Sequence, residues 1–170
     1  MTFNVPESFP IGKLAPNRAE REWLNGWCLA SPWTFSAVLE LGAGVTSWII
    51  LDALRPMTYV AVEPYEPAAA AVRKHVPAVQ IMPSLDAVPD MQYDLLLVDS
   101  SCSLTPGYKR AEAIEMVMPL LARDCVIIIH DFNRQGGAGP KKWLPANGWK
   151  LIESTEHRNG WGVYQRGSDD

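Results

Sequence analysis

A chain of 170 residues with a formal net charge of −4, 48% apolar and 20% charged residues is the size of one soluble domain, able to bury a core without disulfides or metals. The acidic balance argues against a protein that neutralises many phosphates, so no nucleic-acid partner is expected. No window is apolar for long enough to span a bilayer, so no membrane partner is expected either.

MTFNVPESFP at the N-terminus has neither a basic leader nor a long apolar segment, which predicts a cytoplasmic protein without a secretory signal. Cys28, Cys102 and Cys125 lack CxxC spacing and read as reduced, packing thiols. One domain, 1–170, is expected, with 1–36 forming an extension that carries a covering helix. Asn17 and Glu20 make a plausible N-cap pair for that helix over 18–30. Trp23, Leu24, Trp27 and Cys28 fall on one of its faces, covering a sheet edge or, as a second reading, lining an acceptor pocket.

Strand and helix then alternate: strand 37–41, helix 45–55, strand 58–63, helix 67–75, strands 79–82 and 93–98, helix 108–121, strand 125–130. Pro119 should kink the last helix or end it early. Gln135 to Pro140 is rich in glycine and reads as a mobile loop. Trp149 to Thr155 and Trp161 to Gln165 read as a hairpin joined through Asn159-Gly160.

The segment VLELGAGVTS, Val38 to Ser47, is a strand, a glycine turn and a helix start. Gly42 and Gly44 let backbone approach a ligand closely, and the helix beginning near Val45 offers unpaired N–H groups to it. Glu63 follows the second strand, where an acid can accept hydrogen bonds from a ribose diol. Ser47 and bulky Trp48 stand where a dinucleotide site wants its third small residue, and no Lys-Ser/Thr pair follows the turn. An adenosine ligand without phosphates fits better than NAD or a nucleoside triphosphate. Glu40-Leu41-Gly42-Ala43-Gly44 with Glu63 resembles the first two motifs of class I S-adenosylmethionine-dependent methyltransferases. The resemblance implies an α/β, Rossmann-like, mostly parallel seven-stranded sheet of order 3-2-1-4-5-7-6 with an antiparallel last strand.

In such sheets the ligand lies beyond the carboxyl ends of the strands. The residues there are Glu40, Gly42, Ala43 and Gly44, then Glu63, then Ser84, Leu85 and Asp86, then Asp99 and Ser100, and last His130 and Asp131. The expected cofactor contacts are Glu40, Gly42, Ala43, Gly44, Glu63, Ser84, Leu85 and Asp99. Strands ending in Asp99 and in His130-Asp131 resemble those of small-molecule O-methyltransferases, in which these groups face the acceptor; no Asn-Pro-Pro-Tyr-like motif of base N-methyltransferases follows the fourth strand. His130 is the general-base candidate because an ordinary imidazole is largely neutral at pH 7, with Asp131 or Asp99 orienting it or the substrate hydroxyl. In an alternative division of labour, Asp99 and Asp131 hold a divalent cation, as in cation-dependent O-methyltransferases, although Phe132 interrupts the Asp-Asn pair those enzymes carry.

More narrowly, GAGVTSW, Glu63, VDSSCSLTPGYKRAEAIEMVMPLLAR and HDFNR are together similar to segments of plant glucuronoxylan 4-O-methyltransferases, with Ser100-Ser101 where that family has Ala-Pro. The expected acceptor is a small molecule or saccharide. Arg134, Lys141 and Lys142 could meet an acidic acceptor, or simply be solvated loop charges. Two rivals remain at this point: an aminopropyltransferase, because YDLLLVDSS resembles spermidine synthases, and a non-catalytic binding module of the same fold. The first 36 residues cannot supply the β-domain that spermidine synthases add. A homo-oligomer is left open, and His75 and His157 are assigned no chemistry.

Overall fold

The computed structural model describes residues 15–99, 110–156 and 159–167. Seven strands form one sheet: β1 Ala37–Leu41, β2 Thr58–Val62, β3 Gln80–Met82, β4 Tyr93–Val98, β5 Leu121–His130, β6 Trp149–Ser154 and β7 Trp161–Arg166. Their spatial order is β3-β2-β1-β4-β5-β7-β6. β7 runs antiparallel to both β5 and β6, and the other described pairs are parallel, which is the class I methyltransferase arrangement.

The apolar strands of the centre are buried on both faces, as parallel strands covered by helices must be. Val38, Leu95, Leu97, Val126 and Ile128 point into one core with Leu24 of α1 (Arg18–Ala30), Ile49 of α2 (Val45–Leu54) and Val72 of α3 (Glu66–His75). Leu39, Leu96, Val98, Ile127 and Ile129 point into the other, with Ile114 of α4 (Arg110–Val117) and Leu144 of α5 (Gln135–Ala146). The Asn17–Glu20 pair forms a complete capping box at the start of α1.

Two expectations are corrected. Gln135 to Pro140 is not a loop but the first half of α5, in spite of its glycines and Pro140. The packing explains it: a Cβ on Gly139 would stand 3.6 Å from the Ala111 side chain, so a small residue lets α5 lie close on α4, and Leu144 is fully buried beneath it. Tertiary contact thus overrides poor helix propensity. The helix expected over 108–121 ends at Val117 and tightens into a 3-10 turn over Met118–Leu120 that holds Pro119, and β5 begins at Leu121, earlier than the apolar run implies. Among the described residues no helix is long and apolar enough to cross a membrane.

Candidate active site

The parallel strands end at a common level, and backbone hydrogen bonds between their ends fix it. Gly42 N–H donates to Val62 O at 2.9 Å, Glu63 N–H to Met82 O at 2.9 Å, and Asp99 N–H to Leu41 O at 3.0 Å. The glycine turn, Glu63 and Asp99 are therefore neighbours along one rim, with Ser84 and Leu85 after β3 on the same edge. Gly42 has φ 93°, a conformation that explains glycine there. A Cβ on Gly44 would meet no protein atom within 4 Å, so the space in front of the turn is open.

Glu63 is half-buried and accepts the Tyr65 N–H at 2.8 Å. Burial pushes its carboxyl above the usual range, against the lowering effect of the Tyr65 and Ala43 amides. Ser84 is half-buried, Leu85 buried and Asp86 exposed.

Glu40 corrects an expectation. It is fully buried, and its two carboxylate oxygens accept the hydroxyls of Thr46, Ser47 and Tyr59, the last at 2.9 Å. The reason is alternation along β1: Glu40 shares a face with Val38, under α2, rather than facing the rim. The Ser47 hydroxyl also accepts the Gly44 N–H at 3.1 Å, so Glu40 braces the glycine turn from behind. Burial pushes its carboxyl up to about 8, with the Asp99 charge adding to the shift and the three hydroxyls opposing it.

His130, the general-base candidate, stands at the end of β5 with only 1% of its side chain exposed. Nδ1 lies 2.7 Å from Asp99 Oδ1, a charge contact off the line of a hydrogen bond, and Nε2 lies 3.3 Å from Glu20 Oε2. Burial alone would lower the imidazole pKa, but Asp99, Asp131 and Glu20 outweigh it and hold it above its ordinary value. The site favours an imidazolium.

Asp131 follows in the left-handed conformation, φ 55°, which Asp tolerates better than most residues. Its Oδ2 lies 3.1 Å from Arg110 Nη2, while Arg110 Nη1 donates to the His130 carbonyl at 2.6 Å. Exposure ranks the three acid–base groups: Asp131 24%, Asp99 9%, His130 1% of the side chain. With Asp99 against His130 and Asp131 against Arg110, each carboxylate already faces a cation. The pair does not fit a hard divalent ion, and among the described residues no cluster of three or more His, Cys, Asp or Glu is placed to hold one.

Sequence reasoning missed Arg110, Asn159 and Trp161, and read Glu20 as a helix cap only. Glu20 is fully buried. Beyond Asn17, it meets His130 and Asn159 Nδ2, the latter at 3.5 Å, and its carbonyl accepts the Trp161 indole N–H at 3.0 Å. One signal was present: an acid at the third position of a helix whose next turns are apolar is placed to be carried inward. Trp27 belongs to the core with Trp33 and Phe35, while half-buried Trp23 stacks on Trp161, whose ring lies 4.5 Å from that of His130. Lys141 lies over the Phe132 ring at 3.8 Å, whereas Arg134 and Lys142 are exposed. Ser100, Ser101, Cys102, Ser103 and His157 lie outside the described residues.

Methyltransferases are among the solved structures that this fold matches. A methyltransferase from Geobacter sulfurreducens aligns with TM-score 0.72 and 17% identity over 91% of this chain and 81% of its own. The precorrin-6y C5,15-methyltransferase of Geobacter metallireducens GS-15 gives 0.70 and 17% over 95% of each. The N-methyltransferase NodS of Bradyrhizobium japonicum WM9, solved with S-adenosyl-L-homocysteine, gives 0.68 and 11% over 92% and 91%. At these identities the likeness is one of fold, and no curated protein matches the chain. In sequence, a family model described as a methyltransferase domain matches residues 39–132, more than half of the chain, from within β1 to just past β5. The chain belongs to that family and is an S-adenosylmethionine-dependent methyltransferase of class I fold.

Proposed function

We propose that this methyltransferase acts on a hydroxyl oxygen of a small molecule or saccharide. The observation that carries the reading is the pair of carboxylates, Asp99 and Asp131, both facing Nδ1 of the enclosed His130 ring at the rim beside the glycine turn. S-adenosylmethionine, when bound, supplies an electrophilic methyl on a sulfonium. The Gly42-Ala43-Gly44 backbone and the first amides of α2 seat it, with Ser84, Leu85 and Asp99 completing the seat. Glu63 receives the ribose diol, whose two hydroxyls would stabilise a carboxylate that burial now disfavours.

An acceptor hydroxyl that takes the methyl from the sulfonium would leave a thioether behind and a proton for this chain's residues to remove. The carboxylates around His130 favour the charged form of its ring, which makes it a poorer recipient for that proton than an ordinary imidazole. The proton therefore goes to Asp131, the more exposed carboxylate, with Asp99 orienting the acceptor and His130 acting from behind as a positioning residue. Open acceptor chemistry is also why a saccharide remains in the reading: Arg134 and Lys142 are exposed after β5 and could meet a uronic acid carboxylate.

Two measurements test this. Glu63→Gln should weaken S-adenosylhomocysteine binding about tenfold by calorimetry, as expected for losing charge-assisted hydrogen bonds to the diol; unchanged affinity would remove Glu63 from the cofactor seat. Methyl transfer should be assayed with catechol, a methyl glucuronoside and the matching amines. Methylation of hydroxyls supports the reading, and methylation of the amines alone overturns it.

A further inference from the structure

The buried contact between α1 and the end of β5 has no part in the family's glycine turn or in the acceptor chemistry above, yet it joins residues 110 positions apart at the rim. Its centre is a charged chain: Glu20 Oε2 to His130 Nε2 at 3.3 Å, and His130 Nδ1 to Asp99 Oδ1 at 2.7 Å. Every element packed around the ring contributes. α1 brings Glu20, Asp99 follows β4, Asp131 follows β5, Arg110 of α4 donates to the His130 carbonyl, and Trp161 of β7 and Asn159 just before it close the remaining side.

Glu20 is the one carboxylate of the three that does not approach the rim. It is fully buried, and its Oε1 lacks a hydrogen-bond partner among the described contacts. An ionised group in that position is stable only because a cation faces it. Burial by itself would raise its pKa, but the Asn17 N–H and the His130 charge hold it below the ordinary carboxylate range. The helix cap asks only for a side-chain acceptor at this position, which Gln supplies as well as Glu. The charge serves something else.

We propose that Glu20 is a positioning residue that acts through His130: it keeps the ring charged and in place, and the ring in turn holds Asp99 at the cofactor seat. This rests on the reading that Asp99 belongs to that seat. It also makes α1, which precedes the matched methyltransferase segment, a working part of the site rather than a cover for the sheet.

The test is a double-mutant cycle with S-adenosylhomocysteine as the probe, read by calorimetry. Glu20→Gln, which retains an acceptor for the cap, should weaken binding about fivefold, and Asp99→Asn should weaken it more. In the Asp99→Asn background the Glu20 substitution should add nothing, since its effect passes through that residue. Wild-type affinity in Glu20→Gln, or two effects that simply multiply, would overturn the proposal. Asn17→Ala removes the other half of the cap while leaving Glu20 against His130; it should lower the melting temperature with affinity unchanged, and weakened binding there would assign the effect to helix anchoring instead. A reading independent of any variant's folding comes from 15N-labelled histidine side chains in the wild-type protein. At about pH 6.5, where an ordinary histidine is half charged, the His130 ring should be mostly imidazolium, and a neutral ring refutes the proposal. Glu63→Gln measured alongside separates the two levels: no effect there removes the seat and this inference together, whereas a weakened Glu63→Gln beside an unaffected Glu20→Gln removes the inference alone.

Discussion

Glu20 and Glu40 are both wholly buried, and the protein treats them oppositely. Around Glu40 the partners are hydroxyls, from Thr46, Ser47 and Tyr59, and no cation is among its described contacts; its carboxyl rises to about 8 and is neutral under most conditions. Around Glu20 they are a backbone N–H, the Asn159 amide and the His130 ring, and its carboxyl falls below the usual range. Burial pushes both acids toward the neutral form, and the presence or absence of a cation among their partners decides whether it prevails. The consequence is a division of labour. A neutral acid braces the glycine turn, and a charged one reaches across the molecule to the acid–base groups.

Removing Glu20 altogether should break this comparison most severely. Glu20→Ala loses the cap and leaves His130 short of a counter-ion, for an expected cost of about 3 kcal/mol in urea unfolding. The sign of its pH dependence follows from the two shifts. Stability from the raised His130 pKa is fully present below its unfolded value of 6.5 and is lost as pH rises through the folded value. Stability from the lowered Glu20 pKa is present above its unfolded value of 4.5 and is lost as pH falls through the folded one. The cost of Glu20→Ala should therefore be greatest near pH 6 and smaller near pH 9. An equal cost at both would leave only the cap.

Glu40→Gln should do the reverse and stabilise. An acid whose folded pKa is raised from 4.5 to about 8 loses stability steadily as pH climbs between those values, because the unfolded chain ionises it freely. Glutamine has no such liability. The variant should gain about 2 kcal/mol over wild type near pH 8, with the difference vanishing toward pH 4.5. A gain that does not change with pH would mean that Glu40 is not the neutral acid its burial implies.

How far these features were legible in the chain differs by type. Local patterning carried the sheet: apolar runs ending in Glu40, Glu63, Asp99 and His130 marked strands, and the glycine turn placed the first crossover. The same patterning failed over Gln135 to Pro140, where the helix lies on α4 and buries Leu144 in the core with Ile114, contacts that no window of sequence contains. The rim was foreseen as a set of residues, because strand ends are read directly from the chain. Which side each residue faces was not. Glu40 looked like a cofactor contact and points inward, and His130 looked like a general base with an ordinary imidazole and is enclosed by α1, whose Glu20 is 110 residues away from it. Arg110 gave no signal, since its partner Asp131 lies beyond the whole of β5.

The smallest effect sharpens the comparison most finely. Tyr59→Phe deletes one of the three hydroxyls that face Glu40 while leaving the ring in the core. Burial and the nearby Glu40 charge hold the tyrosine pKa well above its ordinary value, so the hydroxyl remains a donor throughout the accessible range. A donor favours the charged carboxylate over the neutral acid, so its loss should move the Glu40 pKa further up. The expected cost is about 1 kcal/mol near pH 8 and less near pH 5, where the acid is neutral in either protein and needs the donor less. Melting temperatures at the two pH values read this directly. A cost greater at low pH would mean that Tyr59 binds the protonated acid more strongly than the carboxylate, and the hydroxyl cage would then be a device for keeping Glu40 neutral rather than for tolerating its charge.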